Sequence, residues 1–163
     1  MKNHFHFLIR VRTIEEQKQF FESFSLNSST EGPIWLPHGY NNEKFKVQTP
    51  SRQFSHLFNK YSRNFNKWAN RTGKLFEQPF KRKVITDESY LIHLICYIHR
   101  NPIHHKITDT FEAYPYSSFK TFLSGTPTFL GVKKVLNWFQ GKKGFIAAHK
   151  EMKLKITPEM TLE

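Results

Sequence analysis

The sequence predicts a fold that contains both helices and strands. Residues 5–11 have the sequence Phe-His-Phe-Leu-Ile-Arg-Val, and such a run of aromatic and β-branched residues is typical of a strand. We predict a second strand over residues 80–85. Other segments are predicted helices, because apolar residues recur in them at helical spacing or because they begin with a capping motif.

The first predicted helix begins at a capping box. Thr13 is followed three residues later by Glu16, and this spacing allows each side chain to bond the other residue's backbone N–H. We expect the helix to run to about Phe24. Residues 25–50 carry Ser, Asn, Gly and Pro without a clear period and are predicted to form a loop.

The clearest predicted helix covers residues 50–69. Its apolar residues recur every three or four positions and form one stripe, and Gly73 is expected to end the helix. Basic residues occupy much of the remaining surface. The stripe consists of Phe54, Leu57, Phe58, Tyr61, Phe65 and Trp68.

A further helix is predicted over about 87–100, capped by Thr86 or Asp87 and ended by Pro102. Positions i and i+4 share a helix face, so this helix can place Tyr97 and Asn101 side by side. A turn and short helix over 114–123 and two amphipathic helices, over 131–140 and 144–153, complete the predicted elements.

Composition favours a polyanionic partner. The chain has 163 residues, enough for one domain, and a formal net charge of +12. Nine Lys or Arg and a single acid, Glu77, lie between positions 51 and 83, so this stretch carries a net +8. No apolar run is long enough to cross a membrane, and no membrane partner is expected. The single cysteine, Cys96, excludes an internal disulfide and fits a reducing cytoplasm.

Two short signals are candidates for chemistry. Residues i and i+2 of a strand point to one face, so His4 and His6 can offer two imidazoles to one metal ion. Tyr97 can act as a nucleophile toward a phosphodiester. Each signal also has an ordinary explanation: a chain with nine histidines contains such pairs by chance, and Tyr97 can be a half-buried helix tyrosine.

Several segments, in order along the chain, resemble the single-tyrosine HUH transposases, and most closely the REP-associated tyrosine transposases of bacteria. The N-terminal residues 1–9 are similar to that family's histidine–hydrophobic–histidine strand. Residues 54–61 and 73–82 resemble its central basic segment, and residues 90–102 its catalytic helix. Tyr116-Ser117-Ser118-Phe119 is similar to the motif that follows.

The resemblance implies an α+β fold, with helices packed on a ferredoxin-like antiparallel sheet, followed by C-terminal helices. Residues 1–124 would form the catalytic domain and residues 125–163 a helical extension. Members of this family normally carry a strand, a helix and a further strand before the histidines. This chain begins three residues before His4, so either its start is assigned too late or it is a truncated copy that lacks the first strands of the sheet.

The resemblance also implies a mechanism. Tyr97 would attack a phosphodiester of single-stranded or hairpin DNA and form a 5′-phosphotyrosine, and His4, His6 and Asn101 would hold Mg²⁺ or Mn²⁺. The protein would be a monomer or homodimer in the bacterial cytoplasm, associated with the nucleoid when bound to DNA. The expected phosphate contacts are Arg52, Lys60, Arg63, Lys67, Arg71, Lys74 and Lys81.

Two other functions fit the same residues. The chain can be a truncated or domesticated protein that binds DNA hairpins without cutting them, in which case Tyr97 would have no catalytic role. It can also be a basic RNA-binding protein, although the sequence lacks the glycine-rich loop and the aromatic strand motif of the common RNA-binding modules.

Overall fold

The computed structural model describes residues 4–27, 46–47, 49–77 and 80–152. The chain divides into two compact units: one comprises Met1–Leu8 and Lys81–Glu163, the other Ile9–Phe80. The described residues contain six helices. These are α1 (Ile14–Asn27), α2 (Pro50–Trp68), α3 (Glu88–His104), α4 (Phe119–Ser124), α5 (Val132–Trp138) and α6 (Lys142–Glu151).

The predicted α+β fold with an antiparallel sheet is wrong for the described part of the chain, which contains helices and no strand. Residues 5–11 and 80–85 form no regular secondary structure. A strand is stable only when a neighbour satisfies its backbone N–H and C=O groups, and no other described segment pairs with either of these. The side chains of these two segments favour a strand, but without a neighbouring strand the segments do not form one.

The N-terminal segment nevertheless keeps the side-chain alternation expected of a strand. His4, His6 and Leu8 are half-buried, whereas Phe5 and Phe7 are exposed. Leu8 packs against the hydrophobic core of its unit. This alternation directs the two histidines to the same side as Leu8.

The unit Ile9–Phe80 contains α1 and α2, and α1 begins at its predicted cap. Thr13 Oγ1 accepts the Glu16 backbone N–H at 3.2 Å, and the Glu16 carboxylate accepts the Thr13 N–H at 2.9 Å. This confirms the capping box. Most of the predicted loop over 25–50 lies outside the described residues, although 25–27 belong to α1.

Helix α2 confirms the prediction over 50–69, but it ends at Trp68 and not at Gly73. Thr49 Oγ1 accepts the Arg52 N–H, and Pro50 occupies the first turn, where a missing N–H costs least. None of its residues is fully buried. The apolar stripe instead contacts Phe76 and Phe80, which lie beyond the end of the helix.

The other unit has a core built around α3. Ile95 and Cys96 are buried there, and α3 packs against α6. Five phenylalanine rings complete the core: Phe111, Phe119, Phe122, Phe139 and Phe145.

Helix α3 begins as predicted but continues past its proline. Asp87 Oδ1 accepts the Tyr90 N–H at 2.6 Å, which identifies Asp87 as the cap. The prediction that Pro102 ends the helix is wrong, since α3 runs to His104. Because Pro102 lies in the last turn, the helix loses little hydrogen bonding there, and the His105 N–H still reaches the Asn101 carbonyl at 3.0 Å.

Helices α4, α5 and α6 agree with the predicted short helix and the two amphipathic helices to within a few residues. Gly141 separates α5 from α6 with φ of +101°, a conformation that favours glycine. Within the described ranges, no helix is both long and apolar enough to cross a membrane.

Candidate active site

Two predicted site residues from distant parts of the chain meet in the unit that contains α3. Asn101 Nδ2 lies 3.3 Å from His6 Nε2, and the two residues are 95 positions apart. The amide donates, so His6 Nε2 presents its lone pair toward Asn101. This contact joins the N-terminal segment to the last turn of α3.

A second imidazole lies beside His6. The ring centres of His4 and His6 are 5.2 Å apart, and the ring of His105 lies 4.8 Å from that of His4. The Nε2 atoms of His4 and His105 are both shielded from solvent. Three imidazoles therefore lie near Asn101, of which sequence analysis predicted two.

Tyr97 lies one helical turn before Asn101, as its spacing predicted. Its ring centre is 5.9 Å from that of His6. The side chain is only 2% exposed, so it is a core residue as well as a neighbour of the histidines. His93, four positions before Tyr97 on α3, is exposed instead and donates to the Ser89 carbonyl at 2.8 Å.

The donor atoms here fit a divalent metal ion. Asn101 is fully buried, and its carboxamide Oδ1 accepts no hydrogen bond from the described residues. A buried carbonyl oxygen without a donor is costly, and a cation would satisfy it. Imidazole nitrogens from His4 and His6 with this oxygen would give a mixed nitrogen and oxygen set that suits Mn²⁺, and Mg²⁺ less well. His6 would use Nδ1, because its Nε2 accepts from the Asn101 amide.

In the described ranges, no group of three or more His, Cys, Asp or Glu side chains is arranged to hold a metal ion. A site made of His4, His6 and Asn101 does not require such a group, because its third ligand is an amide oxygen. The predicted ligand set therefore depends on Asn101 rather than on a third acidic or histidine ligand.

Behind this site, α3 carries a chain of buried hydrogen bonds that sequence analysis missed. His149 Nδ1 lies 2.6 Å from the Phe145 carbonyl, to which it must donate. His149 Nε2 then accepts from His99 Nδ1 at 2.8 Å, and His99 Nε2 accepts from the Ser118 hydroxyl at 2.8 Å. With the donors assigned in this way, all four ring nitrogens of His99 and His149 are hydrogen-bonded while both imidazoles are neutral.

Burial keeps these imidazoles neutral. It lowers the pKa of His99 to about 3, with His149 contributing, and that of His149 to about 4. For His149 the Phe145 carbonyl opposes the shift, Arg100 adds to it and Glu112 opposes it more weakly. The Arg100 guanidinium also donates to the His149 carbonyl at 2.6 Å, which fixes a positive charge nearby.

The sequence held a weak signal for these residues. His99 is two positions after Tyr97 and therefore points to a different side of α3. His149 follows Phe145 by one helical turn, among the apolar residues of an amphipathic helix. A histidine on an apolar face predicts a satisfied core group, but its partner 50 residues away is not predictable from spacing.

The predicted phosphate contacts lie at the surface, apart from Lys60, which is half-buried. Six of them belong to the unit Ile9–Phe80, and Lys81 belongs to the other unit. Arg71 donates to the Lys74 carbonyl at 3.2 Å and lies over the Phe65 ring.

No protein-family model, curated protein or solved structure matches this chain. A proposal for its function therefore rests on the geometry of its residues.

Proposed function

We propose that this protein cuts and rejoins single-stranded DNA through a covalent 5′-phosphotyrosine on Tyr97. The observation that carries the proposal is the contact between His6 and Asn101, which brings His4, His6, Tyr97 and Asn101 into one cluster. These four residues have the chemistry that the reaction needs, although they come from two segments about 90 residues apart in sequence.

In the proposed reaction, Tyr97 Oη forms a bond to phosphorus while the bond from phosphorus to the 3′ oxygen breaks. The phenolic proton passes to a base in solvent, and the 3′ oxygen takes up a proton. One phosphodiester replaces another, so rejoining needs no ATP. A divalent ion held by His4, His6 and Asn101 would stabilise negative charge at the scissile phosphate.

The burial of Tyr97 determines what the substrate must do. Since the side chain is 2% exposed, DNA reaches the phenol only if side chains that cover it move, and His6 is one of them. This burial is the specific observation that favours the second candidate function, a DNA-hairpin-binding protein that does not cut. The two candidates share a DNA partner and differ in whether a covalent bond forms.

The deciding experiment is incubation of the full chain with Mn²⁺ or Mg²⁺ and labelled single-stranded DNA from the flanks of its own gene. Denaturing electrophoresis detects a covalent adduct. We expect a metal-dependent adduct that disappears in Tyr97→Phe and persists in Tyr90→Phe, a tyrosine on the same helix. DNA binding on a native gel without any adduct establishes the binding protein and refutes the nuclease.

The metal site has its own readout, independent of DNA. Electron paramagnetic resonance of Mn²⁺ measures the fraction of ion bound to the protein. His6→Ala and Asn101→Ala are expected to weaken binding by more than about 10- to 100-fold, the loss typical of a residue that only supports a ligand, whereas the exposed His93→Gln on α3 leaves it unchanged. Equal binding by all four proteins, wild type included, would place the ion elsewhere.

A further inference from the structure

The apolar stripe of α2 has a covered part and an open part. Near the start of the helix, the Phe54 ring contacts that of Phe80, and the Phe58 ring contacts both Phe76 and Phe80 at 5.0–5.7 Å between centres. These contacts give the first half of the stripe its own small cluster. The segment after α2 therefore already occupies this half, and its Phe76 ring also lies 5.8 Å from that of Tyr61.

The second half of the stripe consists of Tyr61, Phe65 and Trp68, which we call the aromatic platform. Its rings form a continuous row, with Tyr61 stacked on Phe65 at 6.3 Å and Phe65 beside Trp68 at 5.7 Å. Trp68 is 81% exposed and Tyr61 is also exposed. Phe65, between them, is half-buried. Exposed aromatic rings grouped on a protein surface are typical of a binding site.

The helix that carries the aromatic platform is strongly basic. Lys60, Arg63 and Lys67 recur at helical spacing and share another side of α2, and Lys67 directly precedes Trp68 in the sequence. The Arg71 guanidinium lies 6.0 Å from the centre of the Phe65 ring, within the platform itself. Residues 50–68 include no acid at all.

This combination identifies the occupant by its chemistry. A partner must offer planar apolar faces to the rings and negative charges to the cations, at a repeat short enough to satisfy both. Unpaired nucleotides do so, because each carries one base and one phosphate. A second copy of this chain is a poorer match, since its platform would bring the same positive charge.

We propose that the aromatic platform stacks the bases of single-stranded nucleic acid, with Trp68 as its principal stacking residue and Lys67 and Arg71 as phosphate contacts. The inference rests on the single-stranded DNA substrate of the proposed function but not on cleavage by Tyr97. All the residues it uses belong to the unit Ile9–Phe80.

The test measures binding of the full chain to a labelled oligothymidylate of about 12 nucleotides by fluorescence anisotropy, in EDTA so that no cleavage occurs. Trp68→Ala is expected to weaken binding between about 5-fold and 150-fold, the range for one stacked base. Trp68→Phe retains a ring and is expected to stay close to wild type. Tyr116→Ala, at a residue that is 85% exposed in the other unit, is the matched control and is expected to bind normally.

A second probe separates stacking from charge. A strand of the same length without bases offers phosphates alone, so Trp68→Ala and wild type are expected to bind it equally. Lys67→Ala is expected to weaken binding to both strands.

Three results overturn the proposal. The first is normal binding of oligothymidylate by Trp68→Ala. The second is a loss of binding by Trp68→Ala that is as large on the baseless strand as on oligothymidylate. The third is self-association, measured by sedimentation, that Trp68→Ala abolishes while its DNA binding is unchanged. Failure of the Tyr97 adduct assay alone leaves these binding results unaffected, so the two proposals fail separately.

Discussion

Mild acid is expected to destabilise this protein through His99 and His149. Both imidazoles are buried, and their pKa values of about 3 and about 4 lie well below the value of about 6.5 expected in the unfolded chain. Below pH 6.5 the unfolded chain therefore binds protons that the folded protein does not. The stability contributed by the neutral pair is complete above pH 6.5 and is lost as the pH falls toward the folded pKa values.

The size of the effect follows from the two pKa values. Between pH 7.5 and pH 5.0, each histidine lowers the free energy of unfolding by about 2 kcal/mol, and the pair by about 4 kcal/mol. Domains of this size are stable by only about 5–15 kcal/mol, so the loss is a large fraction of the total.

Urea denaturation at pH 7.5, 6.0 and 5.0, followed by circular dichroism, measures this loss. His149→Gln is expected to lower stability at every pH, but also to reduce the slope below pH 6 by about 1.4 kcal/mol per pH unit, the value for one histidine. His104→Gln, at an exposed position on α3, is the control and should keep the wild-type slope. A wild-type free energy that does not change from pH 7.5 to 5.0, or an unchanged slope in His149→Gln, would refute the reasoning.

Three further predictions concern the core and one helix cap. Phe145→Ala removes a fully buried ring and is expected to lower the free energy of unfolding by about 3–5 kcal/mol, whereas Phe129→Ala, at a fully exposed ring, changes it by less than about 0.5 kcal/mol. Urea denaturation compares them, and similar losses would contradict the assigned core. Burial raises the pKa of Cys96 to about 12, so iodoacetamide should modify the native protein far more slowly than the urea-unfolded chain, and equal rates would show an accessible thiol. Thr13→Ala removes the cap of α1 and is expected to cost about 1 kcal/mol in the same denaturation assay, and an unchanged midpoint would argue against the cap.

The helices were predictable because their signals are local. The capping box at Thr13 and Glu16 requires residues only three positions apart, and the stripe of α2 repeats within a single helix. Asp87 caps α3 for the same reason. Such interactions form wherever the local sequence allows them, so the sequence by itself determined where most helices begin.

The strand predictions failed because strand formation is not local. Residues 5–11 have the composition of a strand and even its side-chain alternation, but a strand needs a neighbour to bond its backbone. No local pattern specifies whether that neighbour exists. The same holds for Pro102, whose effect on α3 depended on its position in the last turn.

The candidate site divides in the same way. The sequence determined that His4 and His6 share one side of their segment, and that Tyr97 and Asn101 share one face of α3. Only tertiary structure decided that His6 meets Asn101 across 95 residues. It likewise decided that His99 meets His149 across 50 residues, because such contacts depend on how the whole core packs and not on the spacing within any segment.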